Sequence, residues 1–233
     1  QGKDKRYFDT ICDVTEAMLL PQALTVSAWI LHVNRNTGIP EEPKMSSISP
    51  LIPQQPAPVL EVSTVSGGSW SLADQDAENF NMVVFYRGLH CPICSMYLGG
   101  LNKLAGEFAD RGVNILVVSS DSEERATEAK EKWGLDNLTV GYGVDLDKAR
   151  EWGLYISAGK GVSGAGIEEP ALFSEPGLFL TKPDGSVYFV TTQTMPFARP
   201  AFAELLKGLD FVIAKNYPGR GEVVDHNQAV AAE

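Results

Sequence analysis

Two cysteines three residues apart, Cys91 and Cys94, constrain this chain more than any other feature, because of the segments that flank them. The apolar run 82–86 before them is typical of a buried strand, and the apolar positions spaced along 95–108 after them are typical of one helix face. A dithiol at a strand-to-helix turn lies near the helix N-terminus, where unpaired N–H groups and the helix dipole favour a thiolate. Such cysteines can have a pKa of about 3.5–7.5, against about 8.5 for a free thiol. The pattern predicts thiol redox chemistry.

Composition narrows the class of protein. The chain has 233 residues, of which 44% are hydrophobic, so it can bury a sizeable core in one or two domains. Its three cysteines are too few for a disulfide-stapled secreted scaffold. The net charge of −11 argues against nucleic acid or an anionic membrane surface as a partner. Because sulfur can carry the chemistry, we expect no cofactor and no metal.

The first 57 residues differ in character from the rest. The uncharged stretch 17–34 is interrupted by Pro21 and several polar residues, and it is short for a membrane span, which needs about 20 apolar residues. Acidic residues precede it, where a signal peptide would have a basic start. We therefore expect residues 1–44 to be a soluble, helical extension of a cytoplasmic protein. The prolines of residues 45–57 predict an extended linker.

Residues 58–218 alternate predicted strands and helices. In chain order the predicted elements are hairpin strands 59–62 and 69–72, strand 82–87, helix 92–111, strand 114–119, a charged helix, a short strand at 138–142, a short helix at 145–152, hairpin strands 177–180 and 186–190, and helix 200–215. Asp121 and Glu124 form a capping-box-like pattern at the start of the charged helix. Strand–helix–strand units followed by a hairpin and a terminal helix predict an α/β fold with a central mixed sheet and helices on both faces. Residues 219–233 form a C-terminal tail.

The segment from Phe85 to Cys94, Ser119-Ser120-Asp121, and Phe179-Leu180 before the turn Pro183-Asp184-Gly185 together resemble the thioredoxin fold. Within it, the closest likeness is to the peroxiredoxin-like family, which comprises alkyl hydroperoxide reductases and thiol-specific antioxidants. The resemblance extends from about residue 58 to residue 218. It implies a thiol-dependent enzyme that reduces hydroperoxides. It also implies an external thiol reductant of the thioredoxin or glutathione type, and it leaves open whether the protein is a homodimer.

The chain also departs from that family's pattern. Peroxiredoxins carry Pro-x-x-x-Thr-x-x-Cys after the first central strand, and here Arg87 and Cys91 stand at the Pro and Thr positions, with Cys94 at the position of the peroxide-attacking cysteine. Pro176 stands where the family has an arginine, just before the hairpin strand, and resembles the cis-proline of thioredoxin-type oxidoreductases. We predict a cis peptide bond between Glu175 and Pro176.

The two resemblances assign the cysteines differently. In a thioredoxin-like mechanism Cys91 attacks a protein disulfide and Cys94 resolves the mixed disulfide. In a peroxidase mechanism Cys94 becomes a sulfenic acid and Cys91 condenses with it. His90, if protonated, would stabilise the thiolate in either case; a solvent-facing loop residue is the alternative.

A cation to replace the family's arginine can be sought from the order of strands. In the thioredoxin fold that this chain resembles, the hairpin strand 177–181 would run antiparallel to strand 82–87 and begin at the edge where the cysteines lie. The following strand returns to that edge, and the segment that leaves it contains Arg199. We therefore predict that Arg199 points at the dithiol, with Arg87 as the rival donor and a surface position at the start of the last helix as the alternative.

Two classes without redox chemistry remain open. A zinc site normally needs four N or S ligands, and besides the dithiol only Cys12, His32, His90 and His226 are available. A catalytically silent binding module is the other class, although no structural role requires the intact dithiol at the helix start.

Overall fold

A computed structural model describes residues 48–225 of the chain. The predicted extension at residues 1–44, Cys12, His32 and His226 lie outside the described residues. Residues 48–57, within the predicted linker, form hydrogen bonds with later parts of the chain. The backbone N–H of Gln54 donates to the carbonyl of Val187, and the Gln54 side chain donates to the carbonyl of Gly219. The predicted domain boundaries stay a prediction.

The strands are β1 (Glu61–Thr64), β2 (Ser69–Ser71), β3 (Phe80–Phe85), β4 (Val113–Val118), β5 (Thr139–Tyr142), β6 (Ile156–Ala158), β7 (Leu172–Ser174), β8 (Gly177–Thr181) and β9 (Val187–Thr192). The helices are α1 (Pro92–Ala109), α2 (Glu123–Trp133), α3 (Leu146–Glu151) and α4 (Phe202–Lys215), with a 3₁₀ turn at Leu72–Asp74. Seven strands form one sheet in the order β2-β1-β5-β4-β3-β8-β9, and β6 pairs with β7 in a separate ribbon.

The sheet is mixed, as the sequence predicted. The β3–β4 and β4–β5 pairs are parallel, whereas β8 is antiparallel to β3 and to β9. Strand β3 lies between β4 and β8, and side chains of both core clusters cover its two faces, so all six of its residues are buried.

Alternation along β3 divides the core into two halves. Met82 and Val84 join α1 and α4 in one cluster, while Val83 and Phe85 pack with Trp152 in the other. The sheet is thus covered on both faces, which confirms the predicted α/β architecture.

Three local features differ from the predictions. Ser122, not Asp121, caps α2, because its hydroxyl accepts the backbone N–H of Arg125 at 3.4 Å. Helix α1 ends at Ala109, and Gly112, at a φ of +65°, belongs to the turn into β4. The β6–β7 ribbon was not predicted. Across residues 48–225, no helix has the length and apolar character needed to cross a membrane.

Candidate active site

The dithiol lies where the end of β3 turns into α1. The backbone N–H of Cys91 donates to the carbonyl of Gly88 at 3.0 Å, which closes the turn. Cys91 then caps α1, with Pro92 at the first helical position, and its Sγ accepts the backbone N–H of Cys94 at 3.3 Å. The helix N-terminus therefore presents an N–H group to sulfur, which favours the thiolate form of Cys91.

The two cysteines differ in their proton affinity. The side-chain interaction with Cys94 lowers the pKa of Cys91 to about 6; burial opposes this shift, and the Cys94 N–H and Arg199 add to it. Burial, and then the interaction with Cys91, raises the pKa of Cys94 well above its ordinary value. Both side chains are almost completely buried. Of the two sulfurs, Cys91 is therefore the one whose environment favours the thiolate.

Arg199 lies at the dithiol, at the place indicated by the order of strands. Its Nη2 is 3.2 Å from the Sγ of Cys94 and 4.0 Å from the Sγ of Cys91. Its Nε donates to the carbonyl of Pro196 at 2.8 Å, and its guanidinium lies over the ring of Tyr97 at 5.0 Å. These contacts fix a cation beside the sulfurs.

Arg87 has other partners. Its Nε is 3.4 Å from Glu175, its Nη2 is 3.7 Å from Glu169, and its guanidinium stacks 4.5 Å from the ring centroid of Phe173. It makes the smallest contribution to the lowered pKa of Cys91. Between the two arginines, Arg199 is the one in contact with the sulfurs.

His90 is buried, so a solvent-facing position for it is wrong. Its ring packs on Phe173 at 4.6 Å, and within the described part of the chain neither ring nitrogen has a hydrogen-bond partner. Burial, followed by the charge of Arg87, lowers the pKa of His90. The imidazole is therefore neutral near pH 7 and supplies no cation to the thiolate.

The predicted cis bond at Pro176 is wrong, because residues 48–225 contain no cis peptide bond. The chain on either side is anchored with the bond in its trans form. Glu175 accepts from the Ser157 hydroxyl and donates its backbone N–H to Tyr155, and the carbonyl of Pro176 accepts the N–H of Gln193. Since trans is favoured at X–Pro bonds by about 0.5–1 kcal/mol, it persists unless the fold demands otherwise. Pro176 still adjoins the active-site turn, since Gly177 pairs with Phe85 at the end of β3.

Tyr97 is a residue of this site that the sequence did not single out. Its hydroxyl donates to the carbonyl of Pro200 at 2.8 Å, and its ring stacks on Phe202. It thereby ties the segment that carries Arg199 to α1. The available signal was its spacing, because Tyr97 follows Cys94 by three residues and so lies on the same helix face. Nowhere in residues 48–225 do three or more metal-ligating side chains come close enough to hold a metal ion.

Comparison with known proteins gives a family match and a set of structural likenesses. The model of the AhpC/TSA family matches residues 53–190. The fold is similar to a peroxiredoxin-like protein from Aquifex aeolicus, with 17% identity and a TM-score of 0.57 over 71% of this chain and 90% of that one. It is also similar to the peroxidoxin BcpB from Mycobacterium tuberculosis, with 17% identity and a TM-score of 0.55 over 70% of this chain and 98% of that one. The reduced 2-Cys peroxiredoxin from Plasmodium vivax shares 18% identity and a TM-score of 0.58 over 72% of this chain and 84% of that one. No curated protein matches the sequence.

Proposed function

Because this chain belongs to the AhpC/TSA family, we propose that it is a thiol peroxidase that reduces hydroperoxides with the dithiol of Cys91 and Cys94. The observation that carries the proposal is the geometry of the pair: the Cys91 sulfur caps the N-terminus of α1 and accepts the backbone N–H of Cys94, and the guanidinium of Arg199 lies 3.2 Å from the Cys94 sulfur. A thiolate is the form of cysteine that attacks peroxides.

We assign the attack on peroxide to Cys91. Its sulfur bonds to the terminal peroxide oxygen, the O–O bond breaks, and the alkoxide leaves as an alcohol after taking a proton, for which the Cys94 thiol is the neighbouring donor. This assignment reverses the family-based expectation for Cys94. It is supported by the position of the Cys91 sulfur at the N-terminus of α1, by the lowered pKa of Cys91 and by the raised pKa of Cys94.

Cys94 then resolves the intermediate. Having lost its proton, its sulfur attacks the sulfenic acid of Cys91, a disulfide forms, and the hydroxide released becomes water by taking a proton from solvent. An external thiol reductant opens this disulfide: one dithiol, or two molecules of a monothiol, gives up two electrons and is itself oxidised to a disulfide. The family implies such a reductant, and we propose one of the thioredoxin or glutathione type, encountered by this enzyme in the cytoplasm. A homodimer is compatible with this cycle.

One observation favours the second candidate, a dithiol oxidoreductase that acts on protein disulfides. Large apolar side chains are exposed on the two segments that border the dithiol, as a surface for protein substrates would require: Met96 on α1, and Met195 and Phe197 on the segment before Arg199. The trans bond at Pro176 weakens this candidate, because its likeness to thioredoxins rested on a cis-proline.

Paired assays on the wild type, Cys91→Ser and Cys94→Ser test both candidates. We expect the wild type to consume hydroperoxide with an added dithiol reductant and to reduce insulin disulfides slowly or not at all. Cys91→Ser should lose peroxide consumption. Cys94→Ser should retain one turnover per chain and accumulate a sulfenic acid at Cys91 that dimedone traps.

The location of the dimedone label decides between the sulfurs. A label at Cys94 in the Cys91→Ser protein, with none at Cys91 in Cys94→Ser, would return the attack to Cys94. Insulin reduction without peroxide consumption in the wild type would favour the dithiol oxidoreductase.

A further inference from the structure

Asp121 is a buried carboxylate that lies behind the active-site turn. It follows the end of β4, and its side chain is 1% exposed. Its Oδ2 accepts the backbone N–H of Leu89 at 2.7 Å, and its Oδ1 accepts Nε of Arg125 at 3.0 Å. A carboxylate is costly to bury unless its oxygens have partners. Here one partner is the neighbouring helix and the other is the turn that holds the dithiol.

The turn is shaped around this carboxylate. Gly88 has a φ of +132°, and a Cβ at this position would lie 2.8 Å from both carboxylate oxygens. Only glycine allows the backbone to approach Asp121 so closely. The carbonyl of Gly88 accepts the backbone N–H of Cys91. The contact with Asp121 therefore fixes Gly88, and Gly88 in turn holds the backbone of Cys91.

Asp121 is itself held by the sheet. Its backbone carbonyl accepts the N–H of Gly143 at 2.9 Å, and its N–H donates to the hydroxyl of Ser119 at 3.3 Å. Asp121 therefore links the ends of β4 and β5 to the turn at Gly88–Cys91.

We infer that Asp121 is a positioning residue for the nucleophile: it holds the turn in the one arrangement in which the Cys91 sulfur caps α1. The inference rests on the proposed function, since it concerns the sulfur that we assign to the attack. Asp121 acts through Leu89 and Gly88, because its carboxylate accepts the N–H of Leu89 and occupies the space where a Cβ of residue 88 would lie.

Positioning and direct electrostatics predict opposite signs. A carboxylate near a thiol disfavours the thiolate, so removal of its charge alone would leave the pKa of Cys91 unchanged or lower it. If Asp121 instead positions the turn, its removal weakens the bond from the Cys94 N–H to the Cys91 sulfur, and the pKa of Cys91 rises. The sign of the shift therefore separates the two roles.

The test is the rate of alkylation by iodoacetamide against pH, with Cys91 identified by mass spectrometry in the full-length chain. For Asp121→Ala we expect the midpoint for Cys91 to rise by about one pH unit, the value of one hydrogen bond to a charged group. Asp121→Asn keeps one oxygen acceptor, so the midpoint for Cys91 should rise less in this variant. Ser122→Ala is the matched control, since it removes the cap of α2 at the next residue without touching the turn, and its midpoint should equal that of the wild type.

An unchanged or lower midpoint in Asp121→Ala would overturn the inference. Should this variant fail to fold, the sign of the shift in Asp121→Asn decides in the same way. A wild-type Cys91 that titrates like a free thiol would overturn the proposed function and this inference together. A low wild-type midpoint with no rise in the variants overturns the inference alone.

Discussion

Among single residues, Arg199 contacts the dithiol itself and Asp121 contacts the turn that carries it. Arg199 reaches the sulfurs from the segment before α4, whereas Asp121 holds the turn from behind. The resemblance to the thioredoxin fold supplied the strand order that placed the segment of Arg199 at this edge of the sheet, because a hairpin returns its chain to the edge from which it started. The sequence indicated Asp121 only as a helix cap, because a Ser and an Asp both precede α2 and either can cap a helix.

We expect Arg199→Ala to raise the alkylation midpoint of Cys91 by about one pH unit, since a neighbouring cation favours the thiolate. Arg87→Ala is the matched control and should shift the midpoint less, because Glu169 and Glu175 already neutralise that guanidinium. The measurement is iodoacetamide reactivity against pH. A titration unchanged in Arg199→Ala and raised only in Arg87→Ala would transfer the role to Arg87.

The environments of His90 and Pro176 were beyond sequence reasoning for a related reason. Whether a loop histidine is buried depends on what packs over it, and here Phe173 of the unpredicted strand β7 does so. Whether an X–Pro bond is cis depends on the contacts of both flanking segments. The cis and trans forms differ by too little free energy for residue types alone to predict the isomer.

Among the elements, those with strong periodicity or a clear turn were predicted correctly. Strand β3, helix α1 and the β8–β9 hairpin have uninterrupted apolar faces and sharp turn signals, so their patterns are unambiguous. Strands β6 and β7 have three residues each and are separated by a glycine-containing segment. Three residues are too few to show an alternating pattern, and only the tertiary structure brings them together.

Along helix α1, the residues at the N-terminus carry the chemistry, whereas buried residues further along contribute only to stability. Leu101 is fully buried but lies seven residues beyond Cys94, or about 10 Å along the helix. We expect Leu101→Ala to lower the free energy of unfolding by about 2–5 kcal/mol and to leave the alkylation midpoint of Cys91 unchanged. Denaturant unfolding and iodoacetamide titration measure the two effects. Leu104→Ala, on the partly exposed side, is the control and should cost less; a shifted midpoint in Leu101→Ala would contradict this separation.

For the whole molecule, the lowered pKa of Cys91 makes stability depend on pH. A group with a depressed folded pKa stabilises the fold above its unfolded pKa and loses this contribution as the pH falls through the folded value. With a folded pKa of about 6 for Cys91, we expect the reduced protein to gain about 2 kcal/mol between pH 6 and 8 relative to Cys91→Ser. The raised pKa of Cys94 acts in the opposite sense and removes stability only at higher pH, where the unfolded thiols ionise.

Denaturant unfolding of both proteins under reducing conditions measures this gain. All other titrating groups are common to the two proteins, so the difference between their pH profiles isolates the dithiol. Parallel profiles for the wild type and Cys91→Ser would contradict the thiolate assignment.

The place of β8 beside β3 also bears on how the protein is made. Strand β3 leads into the cysteine turn, yet its neighbour β8 and the guanidinium of Arg199 come late in the chain, Arg199 lying 105 residues after Cys94. At about 5–20 residues per second, a ribosome needs about 5–20 seconds to add that stretch. During this interval the nascent chain has both cysteines but neither the completing strand nor the cation. The contact between Arg199 and the Cys94 sulfur can therefore form only when almost the whole domain has been synthesised.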